Sequence, residues 1–541
     1  MFTNRPEDLL LHGAAIPEHL PGEPVRPIPS APVFVFKLAL RVVTTLLMLI
    51  ATAGLWPLYL LGVLIWGWTP NVPRMSQFGR YVRLLLTVNP PAPGLSGLAR
   101  AWILLSLAQR LAMRPVLGLA WHLDELLYGA ALRQNPVVAP LIEISAARSG
   151  STQLARYIED DPRLAAPSTL QFFFPYLWLW RLVAATLGRV ITKERVSQKI
   201  EAMIPPEFHQ RHEGDLFRTD TFDAVIFVLH LNAYAPFLGP DVMAEDFSFG
   251  ALAPQNRALW EEDFITIFDA IGRKTLCYAG PGPDGHPRRL FIKGHFLCAA
   301  EALERRYPDA RFLTMIRDPA PRLQSGVNFL RANPGEPMLG QVPWPWLGAA
   351  LAVSEAEYCR IEQAWFTRRG GARRTVLRFS EYVRDLESAM RKVYGECLDQ
   401  DELPPHVPRA HPPRERTNYL LNRSLAQVGV DEAKLNERLA DYIAWCRGEA
   451  PPMAEQRGLS PPGAKLTPHR TRRSVWGSAR WVSSGTRSPP RRAPSPEAGP
   501  RPAGAPWGLR RAGARRGHAG PDRRPRRAAA GCPPPRSAAA R

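Results

Sequence analysis

Two polar segments constrain this chain more than any other feature. Each follows an apolar run of strand length and precedes residues spaced as on one face of a helix. The first is Ile144-Ser-Ala-Ala-Arg-Ser-Gly-Ser-Thr152, which follows the run from Val137 and precedes Leu154, Tyr157 and Ile158. The second is Arg317-Asp-Pro-Ala-Pro-Arg-Leu-Gln-Ser325, which follows Arg311–Ile316. Pro319 and Pro321 end that strand and suit the first turn of a helix. Strand then helix, repeated along the chain, predicts an α/β fold with a parallel sheet and helices on both faces. Such sheets bind ligands beyond the carboxyl ends of their strands, where both polar segments fall.

The chemistry of the two segments points to phosphate. A helix N-terminus preceded by glycine and small residues presents free N–H groups and a positive dipole end to an anion. The first segment resembles a P-loop, but Gly150-Ser151-Thr152 stands where Gly-Lys-Ser/Thr would be, and Arg148 enters from the other side of the glycine. Arg317 ends the second strand, and a guanidinium binds phosphate through two parallel hydrogen bonds. Ser325 lies early in the following helix. Two anion sites in one domain predict a ligand with two separate phosphate groups, such as a 3′-phosphorylated nucleotide.

In this order the segments resemble the sulfotransferases that use 3′-phosphoadenosine 5′-phosphosulfate (PAPS), and among them the bacterial branch. The resemblance covers roughly residues 120–446. It rests on Trp121–Tyr128, the two polar segments, Leu290-Phe-Ile-Lys293-Gly-His295, Tyr307-Pro-Asp-Ala310, Thr375–Tyr382 with the helix Leu386–Leu398, and Thr417-Asn-Tyr through Tyr442. It implies a P-loop-like sulfotransferase domain over residues 131–448. Arg148 and the loop Ser149, Gly150, Ser151 and Thr152 would hold the 5′-phosphosulfate. Arg317 and Ser325 would hold the 3′-phosphate. Lys293 would stabilise the bridging oxygen of the leaving nucleotide, and His295 would take the acceptor's proton. Two residues apart in an extended segment, these two side chains share a face. PAPS is then a co-substrate, and no metal is implied. The carboxylates of Asp220, Asp223, Glu261 and Glu262 are the alternatives to His295 as base. The chain lacks the Arg-Lys-Gly-x-x-Gly segment of cytosolic sulfotransferases, which leaves part of the 3′-phosphate and adenine site unassigned. A P-loop kinase and a catalytically degenerate membrane scaffold are the rival readings. The missing loop lysine argues against the first, and the presence of Lys293, His295, Arg317 and Ser325 against the second.

Charge and hydropathy divide the remainder. The net charge of +20 is concentrated in the tail, where residues 457–541 hold twenty Lys/Arg against Glu497 and Asp522. The segment 456–541 is Arg-, Pro-, Gly- and Ala-rich, cannot bury a core, and is expected to be disordered. No specific nucleic-acid partner follows from such a tail. Residues 1–32 are Pro-rich, and 33–70 hold the charge-free run Val42–Trp68, long enough for a bilayer but broken at Gly54…Pro57. This predicts a membrane helix or helical hairpin. Basic residues flank the run on both sides, which suits a hairpin with both ends, and the catalytic domain, on the cytoplasmic side. Residues 97–130 read as amphipathic helices leading into the domain, with 97–120 suited to a membrane surface. The aromatic run Phe172–Trp180 suits an acceptor site or membrane contact. A membrane-attached chain predicts a hydroxyl-bearing acceptor near the membrane, a lipid or glycoconjugate. The six cysteines contain no Cys-x-x-Cys, so neither zinc nor a disulfide framework is indicated.

Overall fold

Five short strands form one parallel sheet in the order β2-β3-β1-β4-β5. They are β1 Leu141–Ile144, β2 Leu164–Ala165, β3 Arg289–Gly294, β4 Arg311–Ile316 and β5 Arg373–Arg378. This is a computed structural model, and it describes residues 9–11, 16–23, 29–90, 95–186, 206–211, 215–248, 254–332, 338–412, 419 and 421–449. The expected basic tail and the residues Thr417 and Asn418 lie outside the described residues.

Strand residues alternate between two cores, as the pleat requires. Ile142, Ile144, Leu290, Ile292 and Phe312 face a core completed by Trp121 and the helix Pro254–Ala279. Leu141, Phe291, Leu313, Met315 and Leu377 face the opposite core, completed by the helices Ser151–Glu159 and Leu386–Leu398. The sheet is covered on both faces, as parallel sheets are. Central β1 pairs with β3 on one side and β4 on the other. The chain thus leaves β1 towards one half of the sheet and β4 towards the other. Their shared carboxyl end is the switch point at which such folds bind ligands.

Ahead of the first strand the described residues are largely helical. The helices are α1 Ala31–Ala53, α2 Trp56–Trp66, α3 Met75–Thr87 and α4 Gly97–Gln134. Pro115 lies inside α4 without ending it. The apolar segment does not fold back on itself. Phe34 packs edge-on to Trp102 at 5.9 Å, Gln109 donates to Thr44 at 3.2 Å, and Tyr59 stacks on His122 at 5.8 Å. Successive residues of α1 and α2 therefore meet successive residues of α4, so all three helices run the same way. In this arrangement α1 and α2 lie over α4. The other side of α4 is tied to the sheet domain through the buried ion pair Asp124–Lys274, 2.9 Å.

Candidate active site

The β1–helix loop has the backbone of an anion cradle. Arg148 and Gly150 both take positive φ, +67° and +100°. A Cβ at Gly150 would lie 2.9 Å from the ring of Phe379 and 3.2 Å from Met315 Sδ, so only glycine fits there. The helix Ser151–Glu159 has no side-chain cap, leaving its first N–H groups to another acceptor. Ser149 is fully buried, and its Oγ has no hydrogen-bond partner among the described residues. A buried hydroxyl without a partner costs about 1–3 kcal/mol, and a bound anion would remove that cost.

Lys293, at the end of β3, is buried. Its Nζ donates to Thr152 Oγ1 at 2.9 Å and to Asp220 Oδ1 at 2.8 Å. It thus stands at the start of the helix that follows the cradle. His295 is two residues further on. Its backbone N–H donates to Asp223 at 2.7 Å, and its Nδ1 lies 2.9 Å from the carbonyl oxygen of Ser145. A carbonyl can only accept, so Nδ1 carries a proton, and in the neutral imidazole Nε2 keeps its lone pair. Nε2 lies 3.4 Å from the hydroxyl of Thr221. Burial holds the imidazole below its ordinary pKa, although the Asp223 carboxylate opposes the shift. Gly294 is needed between the two residues, because a Cβ there would fall 2.5 Å from the Phe296 ring and 2.7 Å from Asp223 Oδ1.

The second polar segment meets the first. Arg148 Nε donates to Ser325 Oγ at 3.0 Å, and Arg317 Nη1 donates to the carbonyl of Arg148 at 3.0 Å. Arg148 therefore extends towards the helix Pro319–Ala332, beside Arg317. A third guanidinium, Arg211, joins them, its carbonyl accepting from Arg148 Nη2 at 2.8 Å. Each of the three lies over an aromatic ring: Arg148 over Phe329 at 5.0 Å, Arg211 over Tyr419 at 4.3 Å, and Arg317 over Phe379 at 4.3 Å. None forms an ion pair with a carboxylate among the described residues. Burial, reinforced by the neighbouring Arg148 charge, pulls Arg211 down to about 10. Arg148 and Arg317 are shifted down as well, burial being the larger cause in both. Nη2 of Arg211 is buried with no partner among the described residues. Clustered cations with no anion between them mark a site for one.

All nine residues expected at the site from the sequence surround the carboxyl ends of β1, β3 and β4. Of the alternative bases, Asp220 and Asp223 are there too. Glu261 and Glu262 are not: Glu261 pairs with Arg257 at 2.8 Å, and Glu262 with Arg74 at 3.2 Å. Sequence reading missed Arg211, which lies at the end of a short helical turn with no periodic signal. It also missed Glu143, which sits within an apolar strand. Glu143 is the register partner of Lys293, is fully buried, and is pushed up to about 7 by burial, against the pull of the Lys293 charge.

Residues 140–398 match the model of the sulfotransferase family. The fold is similar to that of sulfotransferase STF9 from Mycobacterium avium, with a TM-score of 0.50 and 18% identity over 72% of this chain and 95% of that one. Sulfotransferase STF1 from Mycobacterium tuberculosis H37Rv is similar at a TM-score of 0.48 and 16% identity, over 71% and 97% of the two chains. No curated protein matches the sequence significantly. Residues 140–398 are thus similar to the sulfotransferase family, and the fold is similar to that of a mycobacterial sulfotransferase.

Proposed function

We propose that this chain transfers a sulfuryl group from PAPS to a hydroxyl of a membrane-near, amphiphilic acceptor, a lipid or glycoconjugate. The observation that supports the choice of donor is the meeting of Arg148, Arg317 and Ser325 beside the 148–152 loop. The cradle of Ser149, Gly150, Ser151 and Thr152 holds the 5′-phosphosulfate. Arg317 and Ser325 hold the 3′-phosphate, and Arg148 and Arg211 join them there. Sulfuryl transfer asks the protein mainly for positioning and charge stabilisation. His295 Nε2 accepts the acceptor's proton as its oxygen bonds to sulfur. Lys293 donates a hydrogen bond to the bridging oxygen as the sulfur–oxygen bond to the nucleotide breaks and charge builds there. Asp220 holds Lys293 in place and orients it.

The acceptor class rests on two features. The chain presents two exposed apolar helices, which favour membrane attachment. Phe173 and Phe174 are also exposed, while their neighbour Phe172 packs on Phe222 at 5.3 Å, one residue from Asp223 of the site. Packed aromatic side chains thus lead from the exposed surface towards the residue next to Asp223. The test is turnover of sulfur-labelled PAPS by the full-length chain with amphiphilic and water-soluble alcohols of matched headgroup. Label moving to the amphiphile in preference is expected. Equal transfer to both would remove the acceptor assignment and leave the donor assignment standing.

A further inference from the structure

The exposed apolar surface of α1 and α2 is large and continuous. Phe36, Ile50, Leu64 and Trp68 are 69%, 73%, 83% and 66% exposed, with Leu40, Leu47, Leu58 and Leu61 between them. Such a surface calls for a partner. By length and composition α1 is a candidate membrane span. The contacts on either side of it argue for a different placement.

Before α1, Leu11 N–H donates to Gly429 at 3.0 Å, and the buried Arg423 guanidinium bonds Pro17 at 2.6 Å and Glu23 at 2.7 Å. After α2, Asn71 bonds Tyr176 at 3.0 Å, Arg74 bonds Asp263 at 2.5 Å, and Arg80 bonds Asp246 at 2.8 Å. Both flanks are therefore fixed to the same domain, on one side of any membrane. A crossing by α1 would need a second crossing to return. The eleven residues of α2 are roughly 16 Å long, about half of a hydrocarbon core, and they continue in the same direction as α1. Spanning would also carry α4, and the ion pairs beside it, into the bilayer.

We infer that α1 and α2 lie in the plane of an anionic lipid surface, immersed on their outward face and crossing nothing. This rests on the membrane reading above. Charge selects lipid over a second copy of the chain. From residue 24 to residue 123 there is no Asp or Glu, while nine Lys/Arg are present, of which Arg74 and Arg80 pair with carboxylates elsewhere in the domain. Lys37 and Arg83 are exposed among apolar neighbours, and Trp66 and Trp68 are exposed at one end, as residues of a membrane interface are. A self-association through this face would bring like charges together.

The test uses the full-length chain with Cys277→Ser and Cys532→Ser, bound to phosphatidylcholine vesicles with or without phosphatidylglycerol. Nitroxides at Phe36→Cys, Leu47→Cys and Leu61→Cys report depth by oxygen and nickel-chelate accessibility. In-plane attachment predicts one shallow depth for all three, and binding that needs the anionic lipid. Lys37→Gln and Arg83→Gln should each weaken partitioning about five-fold. Depths that run from one face through the bilayer centre would overturn the in-plane arrangement and leave membrane attachment standing. Nitroxides that couple to one another without lipid would assign the face to a second copy. A chain that stays in the aqueous phase would overturn both readings.

Discussion

Nε of Arg148 lies 3.0 Å from Oγ of Ser325, joining the loop after β1 to the helix Pro319–Ala332 across 177 positions of the chain. The contact makes Arg148 part of the Arg317 cluster rather than of the Lys293–Thr152 end of the loop. The three residues Arg148, Arg211 and Arg317 are then linked to one another, and the proposed 3′-phosphate site lies among them. Replacing any one by alanine is expected to weaken binding of 3′-phosphoadenosine 5′-phosphate by roughly 10- to 100-fold, the worth of a charge-assisted hydrogen bond. Ser325→Ala should act in the same direction and less strongly. Calorimetric titration of each variant checks this, and unchanged affinity in Arg211→Ala would remove that residue from the site.

His295→Ala should lower kcat by roughly two to four orders of magnitude while leaving nucleotide affinity nearly unchanged. Burial holds the imidazole below its ordinary value of 6.5. The acid limb of the kcat/KM profile should accordingly lie below the usual imidazole range. Near-normal turnover in the variant would move the proton to Asp220 or Asp223.

Lys293→Ala should reduce both nucleotide binding and kcat, since its ammonium bonds Thr152 in the loop. Asp220→Asn should lower kcat more than affinity, because it leaves the ammonium present but frees its orientation. Steady-state kinetics beside calorimetry separates the two, and an Asp220→Asn variant indistinguishable from the parent would deny Asp220 its positioning role.

Glu143 gives the fold a pH dependence of defined sign. Its folded pKa of about 7 lies above the ordinary carboxylate value, so the folded state holds this proton more tightly than the unfolded state does. The stability it contributes is complete below the unfolded pKa and is lost as pH rises through about 7. Glu143→Gln, which stays neutral, should remove that loss, worth on the order of 2 kcal/mol, at alkaline pH. Melting temperatures of parent and variant at about pH 5 and about pH 8 decide it. A gap that does not widen at the higher pH would contradict the assignment.

The strand–loop–helix punctuation made the sheet and its carboxyl-end loops legible, since β1, β4 and the residues after them carry the periodic signal themselves. Lys293 and His295 were legible through resemblance to a family, not through periodicity. Arg211 was not, because it reaches the cluster by tertiary packing from a segment with no pattern of its own. Glu143 was hidden by its apolar neighbours. The Asp124–Lys274 pair, 2.9 Å apart and wholly buried, joins α4 to a helix that begins 120 residues after α4 ends. The course of α1 and α2 along α4 is likewise set by side-chain fit, Tyr59 filling the space above Gly118, which hydropathy does not encode.

The donor assignment rests on two anion sites meeting at one loop, and nucleotide selectivity tests it most directly. The full-length chain should bind 3′-phosphoadenosine 5′-phosphate at least about 100-fold more tightly than 5′-AMP or ATP in calorimetric titration, since only the first fills both sites. Equal affinity for ATP would contradict the account.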